Sequence, residues 1–165
     1  MVSEIAFPQQ SGLNGRQGKA FYRDAFSCNT HSINLQPREV YHGIYGFLPR
    51  SVKASLALRN IMVKPFGIAK NDLQMNLAIE DMKAGQKAGF MTVETANDKE
   101  IICTSTELHM DLWISVLKLA PQQFAVSSLI NLNTTTAKVY MASIKPFHKL
   151  TNRYCIARAV KSGRL

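Results

Sequence analysis

The sequence predicts an α+β fold: a curved antiparallel sheet gripping a C-terminal helix, with two short helices after the first strand. Three observations carry this. The hydrophobic period changes from helical to two residues near Gly89. The period-two segments that follow are joined by short turns at Asn97–Asp98, Ala120–Pro121 and Asn133–Thr135, and strands joined that way form an antiparallel meander. A helical segment from Pro146 closes the chain, and it is the available cover for one face of the sheet.

The elements follow in chain order. Pro8–Gly18 holds Gly12, Gly15 and Gly18 among polar residues and reads as a loop. Phe21–His31 alternates as a strand, with Tyr22, Asp24, Phe26 and Cys28 on its inner face. Leu35–Gly46 reads as a helix: Pro37 suits its first turn, and Val40 and Ile44 recur at i, i+4. Pro49 opens a second helix that Pro65 stops. Gly67–Gly89 is irregular, with a helical turn or two over Leu73–Met82. Strands are then expected at Phe90–Thr95, Glu100–Thr106, Leu108–Lys118, Phe124–Leu132 and Ala137–Ile144. The last helix runs from Pro146 to Lys161, with Phe147, Leu150, Tyr154 and Ala157 facing the sheet.

The 165 residues fit one domain, 1–165, that buries roughly 70% of its extended-chain surface. An apolar fraction of 46% and a charged fraction of 19% exclude disorder for the body of the chain. Cys28, Cys103 and Cys155 form no CxxC pair and no metal-ligand spacing, so they read as inert buried thiols in a reducing compartment. Neither a signal peptide nor a transmembrane run of ~18 apolar residues is visible, which makes cytoplasmic location the expectation. The net charge of +9 implies attraction to anionic partners without naming one.

Several positions carry polar chemistry. On the second helix Arg59 falls inside the apolar arc of Val52, Leu56, Leu58, Met62 and Val63. A buried guanidinium needs a partner, and Asp24 on the inner strand face is the natural one; the alternatives are an Arg59 that snorkels to the edge and one that anchors a ligand carboxylate or phosphate. On the strand from Glu107, residues Leu108, Met110, Leu112, Ile114 and Val116 make one apolar face. His109 and Asp111 stand side by side on the other, where a carboxylate can orient an imidazole for proton transfer or simply meet solvent. His148 sits at the expected start of the last helix, a capping or surface position. The basic residues of the last helix read as a solvated face, and with Tyr154 turned inward nucleic acid is an unlikely partner. No metal site, cofactor motif or glycine-rich nucleotide loop is present.

The stretches Phe21–Phe26, Phe47–Gly67, Glu107–Val116 and Lys145–Leu150, with His109-Met110-Asp111-Leu112 and Pro146-Phe147-His148 as motifs, resemble a bacterial family, the domain of unknown function 2867. Trp113 stands where that family's pattern has a basic residue. The resemblance implies a fold and no activity. The element order is similar to that of helix-grip domains of the START and Bet v 1 kind, which hold a cavity between sheet and helix.

The functional expectation is non-enzymatic binding of a small apolar or amphipathic ligand in a sheet–helix cavity, lined by Met110, Leu112, Tyr154 and the second helix, with Arg59 and Asp24 at its polar end. The alternatives are a cyclase- or hydratase-like enzyme using the same cavity, and a basic interaction domain at an anionic surface.

Overall fold

A computed structural model describes residues 1–54 and 78–165. The protein is α+β, and its described residues build one seven-stranded antiparallel sheet. The strands are β1 (Val2–Glu4), β2 (Phe21–Asn29), β3 (Lys87–Ala88), β4 (Met91–Ala96), β5 (Glu100–Thr106), β6 (Met110–Ala120) and β7 (Gln123–Leu132), in the order β1-β2-β7-β6-β5-β4-β3. Strands β4 to β7 form the expected meander, and β2 returns beside β7 with Asp24 opposite Ser128 and Tyr22 opposite Ile130. Gly89, at φ +67°, takes the left-handed conformation that turns β3 into β4. Register shifts at Val93/Thr95 and Lys118/Ala120 interrupt the pairing, the kind of irregularity that bends a sheet.

Helix α1 (Pro37–Tyr45) starts where Pro37 supplies a pre-set φ and Gln36 and Glu39 form a capping box. It packs on β5 and β6, while the long helix α2 (Thr135–Lys161) packs on β1, β2 and β7, and the two helices touch. Together they bury the inner face, where Phe26, Val40, Tyr41, Ile44, Val116, Phe124, Val126 and Ile156 form the main core. Residues 50–54 are helical, immediately after Pro49. Arg59 and the rest of the expected second helix lie outside the described residues, as does the first half of Leu73–Met82, residues 73–77. Within that last stretch Ile79–Asp81 is a single 3-10 turn.

The outer face is covered as well. The segment after β1 brings Phe7 and Leu13 onto Ile102, Leu129 and Trp113. Glu100 anchors it: one carboxylate oxygen accepts the Ser11 hydroxyl at 2.7 Å and the Ser115 hydroxyl, the other the Gly12 N–H at 2.9 Å. Glu100 itself is buried, so its three donors satisfy a group that would otherwise be costly there.

Two expectations need correction. Ala137–Ile144 is helix, not strand: α2 begins at Thr135, capped by the Thr134 hydroxyl accepting from the Ala137 N–H, and continues through Pro146 to Lys161. The alternation in this stretch also fits i, i+4, i+7, and Ala137, Met141 and Ile144 are the residues that pack inward. Pro146 is tolerated inside the helix because it and Ala142, whose carbonyl loses its N–H partner, are on the solvent side. The second correction follows from the first. The face that meets the sheet is Asn152, Cys155, Ile156 and Ala159. Phe147, Leu150 and Tyr154 point outward, 70%, 63% and 46% exposed.

Candidate functional site

Strand and helix period set all five polar side chains at the centre of the inner face. On β2, alternation turns Tyr22 and Asp24 inward; on β7, Ser128 faces inward opposite Asp24. On α2, His148 and Asn152 are one turn apart on the sheet-facing side. The Tyr22 hydroxyl donates to Asp24 Oδ2 at 2.7 Å. Asn152 Nδ2 donates to Ser128 Oγ at 2.9 Å and lies 3.5 Å from both Asp24 oxygens. His148 Nδ1 stands 3.4 Å from Asp24 Oδ2, and its ring meets the Tyr22 ring edge-on at 5.2 Å.

The electrostatics of the cluster centre on Asp24, whose side chain is nearly sealed from solvent while that of His148 is 23% exposed. Burial alone would raise the Asp24 pKa. The His148 imidazole, followed by the Tyr22 and Ser128 hydroxyls, outweighs burial and holds it below the usual carboxylate value. Burial first and Asp24's charge second push the Tyr22 phenol far above its ordinary range. The pairing of His148 with Asp24 is in ion-pair range without hydrogen-bond alignment, and Nδ1 is a buried atom with no hydrogen-bond partner among the described residues. Tyr45 Oη, from α1, is another such atom. Its pKa is raised well above normal by burial and then by neighbours that include Cys155 and Asp24. Buried polar atoms without partners are uncommon and mark places where a further group can bond.

The remaining sequence-derived positions are placed as follows. Asp24 is on the inner face as expected, and His148 is its neighbour. Met110 and Leu112 face inward and pack with Tyr22, Ile130, Ala137 and Met141 in a second apolar cluster. Leu108 leaves the predicted apolar face, because it sits in the turn before β6 and is 82% exposed. Tyr154 is separate from Met110 and Leu112: with Ser51, Val52, Leu150 and Thr151 it lines a shallow groove of about 200 Å³ between residues 50–54 and α2. His109 and Asp111 each bond a residue of the turn before α2. His109 Nδ1 is 3.0 Å from Thr134 Oγ1, and Asp111 accepts from Asn133 Nδ2 at 3.0 Å, so both brace the corner between β7 and α2. Among the described residues no three His, Cys, Asp or Glu side chains gather as a metal site would require.

Sequence reasoning missed Tyr22, Ser128, Asn152 and Tyr45 as members of the site. The signal for Asn152 was available: starting α2 at the Thr134 cap phases His148 and Asn152 with Ala137, Met141, Cys155 and Ile156. Two polar residues one turn apart on an apolar face are the pattern of an interior polar cluster.

A comparison with curated proteins and one with solved structures each found no match. A comparison with protein families found a match over residues 16–155, a span that includes β2 to β7, most of α2 and every member of the polar cluster. The chain therefore belongs to the family described as "Protein of unknown function (DUF2867)".

Proposed function

We propose that the chain is a non-enzymatic binding module of the helix-grip kind, taking a small apolar or amphipathic ligand between the sheet and α2. The observation that carries this is the buried cluster of Tyr22, Asp24, Ser128, His148 and Asn152, with His148 Nδ1 and Tyr45 Oη left without hydrogen-bond partners among the described residues. Ligand sites are mostly apolar with a few convergent polar groups. Here Met110, Leu112, Ile130 and Met141 supply the apolar wall around Tyr22. His148, held by Asp24 and partly exposed, meets the polar end of the ligand. The groove of Val52, Leu150 and Tyr154, one turn along α2 at Thr151, accommodates its apolar part.

The test is titration with a panel of fatty and aromatic acids and alcohols, read by chemical shifts. Shifts at Tyr22, Tyr45 and His148 are expected, with His148→Ala weakening the bound member about 10-fold or more, the loss of one charge-assisted contact. Shifts confined to the outer basic surface would overturn the proposal.

The same cluster favours a second reading, an enzyme of the cyclase or hydratase kind. A carboxylate behind an imidazole, with a phenol beside it, is an arrangement for general acid–base work. Mass spectrometry of the recovered ligand separates the two: a binder returns it unchanged, an enzyme does not.

A further inference from the structure

The solvent face of α2 has a composition the interior site does not use. Val139, Phe147, Leu150 and Tyr154 are all exposed, and at 100° per residue they fall within an arc of about 80° pointing away from the sheet. This stripe is bordered by cations. Lys145, Lys149 and Arg153 line one flank, and Arg158 and Lys161 stand at the C-terminal end. Across the groove from the stripe are Arg50 and Lys53, both exposed, on the helical residues 50–54. The helix holds no Asp or Glu, and neither does any position after Asp111. Of the α2 cations, Lys149 is paired, at 2.6 Å with Glu4.

From this juxtaposition we infer that the solvent face of α2 docks on an anionic phospholipid surface, with Phe147 and Leu150 entering the headgroup–acyl boundary and the flanking cations meeting lipid phosphates. Aliphatic and aromatic side chains between rows of lysine and arginine are what an interfacial helix presents to a bilayer, and each cation near such a surface adds to the attraction. No helix among the described residues is long and apolar enough to cross a membrane, so the contact is peripheral. Two other occupants fit less well. A second copy placed on the same face would set like charges against each other across a two-fold interface. Nucleic acid would use the cations and stack on Phe147 and Tyr154, but it has no use for exposed Val139 and Leu150 on a convex helix.

The inference shares Leu150 and Tyr154 with the groove of the ligand proposal, but its test is separate, because Lys145, Phe147 and Arg153 lie outside the groove and the polar cluster. The experiment is co-sedimentation of the full chain with vesicles of phosphatidylcholine alone or with phosphatidylglycerol at one part in three, at 50 and 200 mM salt. Binding is expected only to the anionic vesicles, falling steeply with salt. Replacing Lys145 and Arg153 together by Gln should weaken it roughly 30-fold, and Phe147→Ser about 10-fold. All three positions are exposed, so thermal midpoints should match that of the parent chain, and a variant that loses binding only because it unfolds would show there. Equal binding to neutral vesicles, no binding at 50 mM salt, tighter capture by a single-stranded oligonucleotide, or a stable dimer abolished by Phe147→Ser would each overturn the inference.

Discussion

Replacing Asp24 by Asn isolates the charge at the centre of the polar cluster while keeping its volume. The carboxylate accepts a 2.7 Å bond from the Tyr22 hydroxyl, and a bond to a charged group is worth about 1.5–3 kcal/mol. The contact with His148 adds at most about 1 kcal/mol, because that imidazole is partly exposed and the 3.4 Å approach lacks alignment. Against these, the Asn side chain no longer carries the cost of a buried charge. The expected net loss is about 2 kcal/mol, a fall of roughly 4–8 °C in Tm for a chain of this length. The loss should depend on pH in one direction. The folded carboxyl titrates below its unfolded value of 3.8, so its contribution is fully present above that value and disappears as pH falls through the lower, folded one. Urea midpoints of the parent chain and Asp24→Asn, followed by far-UV circular dichroism from pH 7 to pH 3, should start apart and approach each other. Coincident midpoints at pH 7, or a gap that widens on acidification, would refute the reasoning.

Further outcomes are expected away from the cluster. Cys28, Cys103 and Cys155 are buried, and burial raises their thiols to about 11, about 12 and about 11, so a thiol reagent at pH 8 should label none of them until urea is added. Because these folded values exceed the ordinary 9.0, unfolding releases thiol protons in alkali, and stability should decline as pH rises above about 9; a flat profile from pH 9 to 11 would count against the burial. Glu100→Gln places an amide N–H2 among the donors Ser11, Gly12 and Ser115, which should cost about 2–3 kcal/mol and speed proteolytic cleavage within Pro8–Gly18, as gel analysis of timed digests would show.

Strands with two-sided or alternating burial were legible because their period survives any tertiary context. Glu100–Thr106 coincides with β5, and Phe21–His31 exceeds β2 by two residues. The three-residue β1 and two-residue β3 offer too few side chains to show a period. The start of α2 was misread because Pro146 looks like a first-turn proline, while the true cap is Thr134, hidden in a run of polar turn formers. That one error rotated the whole helix. It put Phe147 and Tyr154 inside, supplied an inward tyrosine as a reason against an exposed aromatic face, and left His148 as a surface residue. Asp24 was found because its strand was phased correctly; its partner was sought on the second helix, at Arg59, because the residue that faces it had been turned away.

The sheet ends in two stubs. β1 and β3 cap only part of their longer neighbours, and the stretch each leaves uncovered carries a charge: Arg23 on β2, and Glu94, paired with Arg16 at 2.6 Å, on β4. An incoming strand would find a short ladder and a charged side chain at either side. Growth by strand addition, the commonest route by which β-rich chains clump, is thereby obstructed at both margins. Crowded or newly made copies of this chain would meet through helices and loops, and a variant that neutralised Arg23 and Glu94 together would be the one to watch for fibrils.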